Sequence, residues 1–151
     1  MQVIEYVTEE VTRQGHDISV LDGIERVGWM LEAWCWALAV STQRKPDVFD
    51  AVGLGKLVER CRNAGGIRGV GVRVGTKICP HPEEVPRLLD RLFEHRDSMK
   101  PLEFYKEFEE IHPFIDGNGR TGKVLLNWLN GTLLNPTFPP ADLFGTAIRN
   151  P

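Results

Sequence analysis

The segment from Ile111 to Leu129 constrains the fold most, because it joins a glycine-rich turn to a run with the pattern of a helix. Residues 111–123 read IHPFIDGNGRTGK, and the apolar run VLLNWL follows directly. A glycine-rich turn that opens a helix presents unpaired backbone N–H groups and the positive end of the helix dipole. Such a turn can form a concave nest for phosphate. The segment therefore predicts a helix with a phosphate site at its N-terminus.

The side chains of this segment add chemistry to the anion site. His112, with an ordinary pKa of about 6.5, can accept a proton from a hydroxyl nucleophile at neutral pH. Asp116 could cap the helix. A carboxylate beside a phosphate site would repel the phosphate unless a cation lay between them, so we favour the alternative that Asp116 holds Mg²⁺. The predicted phosphate contacts are Gly117, Asn118, Gly119, Arg120 and Lys123. Phe114, which is apolar between polar neighbours, is predicted to anchor the loop in the core.

Composition excludes several classes of protein. A chain of 151 residues is most simply one domain, here 1–151, and its net charge of -3 argues against a broad nucleic-acid-binding face. The three cysteines are Cys35, Cys61 and Cys79; their odd number and wide spacing favour reduced thiols. No signal peptide is visible, and the most apolar stretch, 29–40, is too short to span a bilayer. We expect a cytoplasmic protein, with delivery into a host cell left open, that binds neither nucleic acid nor membrane.

Apolar periodicity predicts a mainly α fold. Leu21, Ile24, Val27, Leu31, Trp34 and Leu38 recur at helix spacing, which predicts a helix over about 18–41. A second helix should run from about Pro46 to Gly65–Gly66, with an inward stripe of Val48, Val52, Leu57 and Cys61. Further helices are predicted over about 82–97, 101–110 and 117–131, and a short helical turn over 141–147. Residues 1–15 fit either a short helix or an extended arm.

Residues 67–79 have a different pattern, in which valines alternate with glycine and arginine. This alternation predicts a short β-hairpin with its turn at Gly75-Thr76. The fold class that follows is a compact helical bundle with one β-hairpin.

Residues 112–123 resemble the signature of the Fic family, His-Pro-Phe-x-(Asp/Glu)-Gly-Asn-Gly-Arg-x-x-Arg, at every fixed position except the last. The hairpin and the following PHPEEVP of residues 80–86 look like the flap of that family and the proline-rich start of its next helix. Pro101-Leu102, which leads into the histidine, is also similar. Together these features cover about residues 45–131.

The resemblance implies a Fic-type bundle that acts as a protein adenylyltransferase, moving AMP from ATP to a hydroxyl of a target protein. It implies that His112 is the general base, that Asp116 holds Mg²⁺ on the phosphates, and that 117–123 bind them. The hairpin would align the target as an added strand. Its residues in this role would be Val70, Gly71, Val72, Arg73, Val74 and Gly75.

Two departures from the family pattern concern activity and its restraint. The last motif arginine is Lys123, which keeps the charge but loses the planar fork, so we expect weaker ATP positioning or relaxed nucleotide choice. The inhibitory pattern (Ser/Thr)-x-x-x-Glu-(Gly/Asn) is absent, and its nearest match, ISVLDG at 18–23, is better interpreted as a helix start. Restraint by a separate antitoxin-like chain and the absence of such restraint are both left open.

Two other functions compete with AMP transfer. One is a Doc-like protein kinase, a relative that binds ATP the other way round; the missing last arginine favours it, and the intact Gly-Asn-Gly-Arg argues against it. The other is a silent interaction module that uses the hairpin edge. The presence of both His112 and Asp116 argues against a silent module.

Overall fold

The helix that begins at the glycine-rich turn lies at the centre of the fold. The structure, a computed structural model, describes residues 1–144. In that range the helices are α1 (Val3–Arg13), α2 (Leu21–Ser41), α3 (Val48–Val58), α4 (Val85–Glu94), α5 (Pro101–Ile111) and α6 (Asn118–Asn130). All residues of α6 from Asn118 to Trp128 are buried, and α2, α3 and α5 pack around it. The predicted helix over about 117–131 is confirmed.

Within residues 1–144 the β-structure is one short hairpin. It pairs β1 (Arg73–Val74) with β2 (Lys77–Ile78) in antiparallel register, and Gly75 in the connecting turn has φ +60°. The strands are shorter than the predicted span of 67–79, because its glycines contribute no side chains to pack. The mainly α class with a short hairpin is confirmed.

Helix α1 resolves the ambiguity of residues 1–15. Its buried face contains Tyr6, Val7, Glu10 and Val11, the spacing of an amphipathic helix. The ring of Tyr6 stacks on Phe138 with centroids 3.9 Å apart, and Trp34 Nε1 donates to the Leu133 carbonyl at 2.8 Å. The segment after α6 therefore holds α1 and α2 against the core.

Helix α2 begins three residues later than expected, and its predicted inward stripe is right at Trp34, which is fully buried, but wrong in the first turn. Leu21 and Ile24, which contribute to the predicted periodicity, are 69% and 53% exposed. The buried positions are Gly23, Arg26, Met30, Ala33, Trp34 and Ala37. Gly23, Ala33 and Ala37 on this face allow other elements to pack closely, and the buried Arg26 is paired with Glu59.

Helix α3 is shorter than predicted, and its predicted inward stripe is wrong at Cys61, which is exposed. The helix ends at Val58 because side chains from elsewhere bind its last carbonyls. Asn63 Nδ2 donates to the Gly55 carbonyl at 3.0 Å, and Arg120 Nη1 donates to the Val58 carbonyl at 2.8 Å. The buried residues are Asp50, Ala51, Leu54, Gly55 and Val58.

The remaining predicted elements are close to their expected places. Short 3₁₀ turns, Pro82–Glu84 and Arg96–Ser98, flank α4, which together cover the predicted 82–97. The predicted inward residues of α5, Phe104, Tyr105 and Phe108, are buried. The single-domain expectation for 1–151 stays a prediction, and the turn predicted at 141–147 lies partly outside the described residues.

Phe114 anchors the motif loop in the core, as predicted. It is fully buried, and its ring lies so close to α3 that a Cβ on Gly55 would be 2.3 Å from its Cζ atom. The three cysteines are free thiols. Within residues 1–144, none of the helices has the length and apolar character needed to cross a bilayer.

Candidate functional site

The end of α5 places His112 inside the fold. His112 caps the helix with φ +52°, and it is the one non-glycine residue with positive φ among residues 1–144. A left-handed residue at a helix end reverses the chain direction. The residue as a whole is only 2% exposed, so its imidazole is buried.

Burial and a nearby cation set the protonation of His112. Burial lowers the pKa of its imidazole to about 4, and the positive charge of Arg68 adds to this effect. The imidazole is therefore neutral at pH 7 and able to accept a proton. A base with so low a pKa is weak, so a substrate that brings negative charge to the site would strengthen it.

The turn after His112 leads into the start of α6, where the anion site is predicted. Gly117 adopts φ +73° at the N-cap, a conformation that side chains disfavour. The first backbone bond of the helix joins the Thr121 N–H to the Gly117 carbonyl at 3.0 Å. The N–H groups of residues 118–120 precede this bond, so they are available to a ligand by helix geometry.

The side chain of Asn118 supports the turn instead of extending from it. Its Oδ1 accepts from the Phe114 N–H at 2.8 Å, and its Nδ2 donates to the Phe114 carbonyl at 2.9 Å. A phosphate contact from Asn118 would therefore come from its backbone N–H.

Asp116 lies at the mouth of the turn, with its side chain 14% exposed. Its Oδ1 accepts from the Gly117 N–H at 2.7 Å, and Arg62 Nη1 lies 3.4 Å from Oδ2. The Asn63 amide fixes the backbone, because Nδ2 donates to the Asp116 carbonyl at 2.7 Å. Carboxylate oxygens are the ligands that Mg²⁺ prefers, so the residue present fits that ion.

Arg120 is fully buried and bound to carboxylates and a carbonyl. Its Nη2 lies 3.4 Å from Glu59 Oε1 and 3.5 Å from Asp116 Oδ1. Glu59 is itself fully buried, and Arg26 forms a fork with it through bonds of 2.7 and 3.1 Å. Burial lowers the pKa of the Arg120 guanidinium, while the neighbouring carboxylates oppose that effect.

Lys123 is likewise buried, and α1 supplies its counter-ion. Its Nζ lies 2.8 Å from Glu10 Oε2 and donates to the Tyr105 hydroxyl at 3.2 Å. Burial alone would lower the pKa of Lys123, but the Glu10 carboxylate raises it well above its ordinary value. A second carboxyl, Glu109, is close by, and burial raises its pKa to about 8.

Arg68 connects the hairpin to the histidine turn. Its guanidinium donates to the carbonyls of Val70, Pro80, Ile111 and His112, at 2.9, 2.7, 3.2 and 2.6 Å. Its backbone N–H donates to the Pro113 carbonyl at 2.9 Å. One side chain thus ties both ends of the hairpin segment to the turn that carries the imidazole.

The structure brings His112, Asp116 and the 117–120 turn together, but it orients the two motif cations into the protein. The proposed flap residues differ in exposure, since Val74 is buried whereas Arg73 and Gly75 are exposed. Sequence reasoning missed the buried partners Glu10, Glu59, Arg26 and Arg68. A signal existed for Glu10, because it stands among the apolar residues of one helix face. No such signal exists for the other three.

Comparisons with known proteins agree with this geometry. A model of the Fic/DOC family matches residues 49–130, more than half of the chain. Protein adenylyltransferase Fic of Drosophila ananassae is 36% identical over 85 residues, which are 50% of this chain and 16% of that protein. Its counterpart in Drosophila virilis is 34% identical over 85 residues, 50% of this chain and 17% of that protein. The chain thus spans about a sixth of the length of these relatives.

A solved structure shows the same fold. The crystal structure of a Fic family protein from Desulfovibrio desulfuricans G20 superposes with a TM-score of 0.59 at 25% identity. The match covers 84% of this chain and 44% of that one. The chain belongs to the Fic/DOC family.

Proposed function

We propose that this protein is a protein adenylyltransferase that moves AMP from ATP to a hydroxyl side chain of a target protein. The observation that carries the proposal is the arrangement of one turn. A buried neutral imidazole, a carboxylate and the free N–H groups of a helix N-terminus follow one another between His112 and Arg120. The similarity to proteins named protein adenylyltransferase supports the same activity.

In the proposed reaction the target hydroxyl oxygen attacks the α-phosphorus of ATP. A new P–O bond forms to the hydroxyl oxygen, the bond to pyrophosphate breaks, and the hydroxyl proton moves to the imidazole of His112. The N–H groups of residues 118–120 would stabilise the charge that develops on phosphate oxygens. Asp116 would hold Mg²⁺, which when bound neutralises phosphate charge. Positioning and charge neutralisation would supply most of the catalysis.

The two motif cations already have carboxylate partners, which bears on how activity is restrained. Phosphate would compete with Glu59 for Arg120 and with Glu10 for Lys123. We therefore propose that the chain itself provides restraint through Glu10, with a separate antitoxin-like chain as the alternative. Glu10→Gln keeps a hydrogen-bond acceptor but removes the charge, so it should raise transfer several-fold. Unchanged transfer would favour a separate partner.

The hairpin is the proposed docking element for the target. Its strands are only two residues long, and Ile78 is 73% exposed, so an extended segment could pair with a free edge.

The decisive experiment uses ATP labelled at the α- or the γ-phosphate. The protein is incubated with Mg²⁺, labelled ATP and a cell lysate, and protein-bound label is measured. Protein-bound label from α-labelled ATP supports AMP transfer. If neither α-labelled nor γ-labelled ATP gives protein-bound label, the proposal is contradicted. His112→Ala should abolish incorporation, while the matched variant His95→Ala, at an exposed histidine beyond α4, should not.

A second candidate, a kinase of the Doc type, is favoured by the state of Lys123. With its ammonium held by Glu10, the distal phosphates lack that clamp, so the orientation of ATP is less constrained. Incorporation of the γ label alone would establish this alternative.

A further inference from the structure

A groove of about 620 Å³ lies between α4 and α5. Its lining includes five apolar residues, which are Pro80, Leu88, Leu92, Met99 and Ile111. Leu92 and Ile111 are buried, whereas Leu88 and Met99 keep part of their surface exposed. The partly exposed leucine and methionine give the groove an apolar floor that a side chain of a partner could cover.

One rim of the groove is a row of three exposed glutamates on α5. Glu103, Glu107 and Glu110 follow one another at spacings of four and three residues, so they lie on one face of the helix. Within residues 1–144 their carboxylates form no ion pair and no hydrogen bond. On the opposite rim, Arg91 of α4 is the one guanidinium in the lining. Three carboxylates against one guanidinium leave the groove with an excess of negative charge.

The charge pattern of α5 weakens the helix itself. Glu107 is a like charge to Glu103 and to Glu110 at spacings that repel along a helix. Lys106, the basic residue of this helix, makes no ion pair with them in the part of the chain that the structure describes. The last turn of α5 has no basic residue, so Glu110 faces the negative end of the helix dipole. A cationic partner would relieve both effects, so the pattern favours binding over a purely structural role.

The groove ends beside the turn that carries His112. Pro80, which follows the hairpin, and Ile111, which precedes the histidine, both line the groove. Arg68 donates to the carbonyls of both residues, at 2.7 and 3.2 Å, so this end of the groove is held to the hairpin segment. The groove is therefore continuous with the edge at which the target is proposed to dock.

We propose that the groove between α4 and α5 binds a basic segment of the target protein that carries an apolar residue. The apolar side chain covers the floor, and lysine or arginine side chains beside it pair with the three glutamates. Nucleic acid does not fit, because the glutamates would repel its phosphates. The choice of a target protein as the partner rests on the proposed AMP transfer, but the binding itself needs no nucleotide.

The test measures the binding of a short synthetic peptide in which one leucine stands between lysines and arginines. Fluorescence anisotropy of the labelled peptide, without nucleotide, should give a dissociation constant in the micromolar range. Glu107→Gln should weaken binding about two- to fivefold, and the combined change of Glu103, Glu107 and Glu110 to glutamine about tenfold or more. Glu25→Gln removes the same charge from an exposed site on α2, so it is the matched control and should leave the affinity unchanged.

A second peptide tests the apolar floor. Replacement of the leucine of the peptide by serine keeps its charge but removes the apolar side chain, so it should weaken binding at least about fivefold. In nuclear magnetic resonance spectra of the unaltered protein, the leucine peptide should shift the amide signals of Leu88 and Met99 and leave that of Glu25 in place.

Absence of peptide binding would overturn the proposal. Equal weakening by Glu107→Gln and Glu25→Gln would also overturn it, because the peptide would then respond only to the net charge of the chain. So would equal affinity for the two peptides, or amide shifts confined to residues outside the groove. Incorporation of α-labelled phosphate tests AMP transfer separately: if the peptide binds as expected but no label is incorporated, the groove stands and the proposed function fails.

Discussion

The buried ion pair between Glu10 and Lys123 makes the sharpest prediction about stability. Glu10 is fully buried, Lys123 is 5% exposed, and the pair distance is 2.8 Å. Glu10→Ala would leave an ammonium in the core without its main partner. Removal of one member of a buried pair typically costs roughly 3–5 kcal/mol, because the remaining charge is uncompensated.

Glu109 limits this loss. At pH 7 its carboxyl is protonated, since its pKa is raised to about 8. Ionising it one pH unit below that value costs about 1.4 kcal/mol, and its carboxylate could then partly replace Glu10. We therefore expect Glu10→Ala to lower the free energy of unfolding by about 3 kcal/mol, the lower end of the usual range for a broken buried pair. For a chain of this length the midpoint of thermal unfolding should fall by about 6–12 °C.

The adjacent residue supplies a matched control. Glu9 forms a pair of similar length with Arg13, at 2.9 Å, but the two side chains are 43% and 50% exposed. Glu9→Ala should cost less than about 0.5 kcal/mol. Urea unfolding followed by tryptophan fluorescence measures both variants. If Glu10→Ala costs no more than Glu9→Ala, the assignment of a buried ion pair is wrong.

Three other predictions concern titration and the hairpin. The folded imidazole of His112 resists protonation until about pH 4, whereas the unfolded one is protonated below about pH 6.5. The free energy of unfolding should therefore fall by roughly 3 kcal/mol as the pH drops from about 6.5 to 4. His112→Asn should flatten this part of the pH–stability curve, and an unchanged curve would contradict the burial of the imidazole. Glu109 changes stability in the opposite direction: its folded carboxyl keeps a proton up to about pH 8, so the free energy of unfolding falls as the pH rises towards that value. The stability gained by Glu109→Gln should therefore grow by about 2.5 kcal/mol between pH 5 and pH 7, and a pH-independent difference would refute it. Arg68→Lys loses the fork that binds four carbonyls, so it should cost roughly 2 kcal/mol by urea unfolding, whereas the exposed Arg87→Lys should cost almost nothing.

The sequence predicted the parts of the fold that depend on local chemistry. Glycine at 117 and 131 marked both ends of α6, and the prolines at 82 and 101 marked helix starts, because each acts on its own backbone. The end of α3 was predicted wrongly, because it depends on two side chains that bind its carbonyls, Asn63 from the segment just after the helix and Arg120 from α6.

The candidate site divides in the same way. The order of His112, Asp116 and the glycines follows from adjacent residues, so the sequence indicated it. The pairing of Arg120 with Glu59 and of Lys123 with Glu10 joins residues 61 and 113 positions apart. Burial of a charge depends on packing that a motif does not encode, so both cations were expected to face phosphate.

The partners of Lys123 and Glu59 have a consequence for protein engineering. Glu10 and Arg26 stand before residue 49, where the match to the family begins. A chimera that carried only 49–130 into another scaffold would transfer the signature letters without the charges that balance them. Lys123 would then need a new counter-ion from the receiving scaffold, and Glu59 would lose Arg26, one of its two arginine partners. In this family member the transplantable unit is therefore larger than the recognisable one.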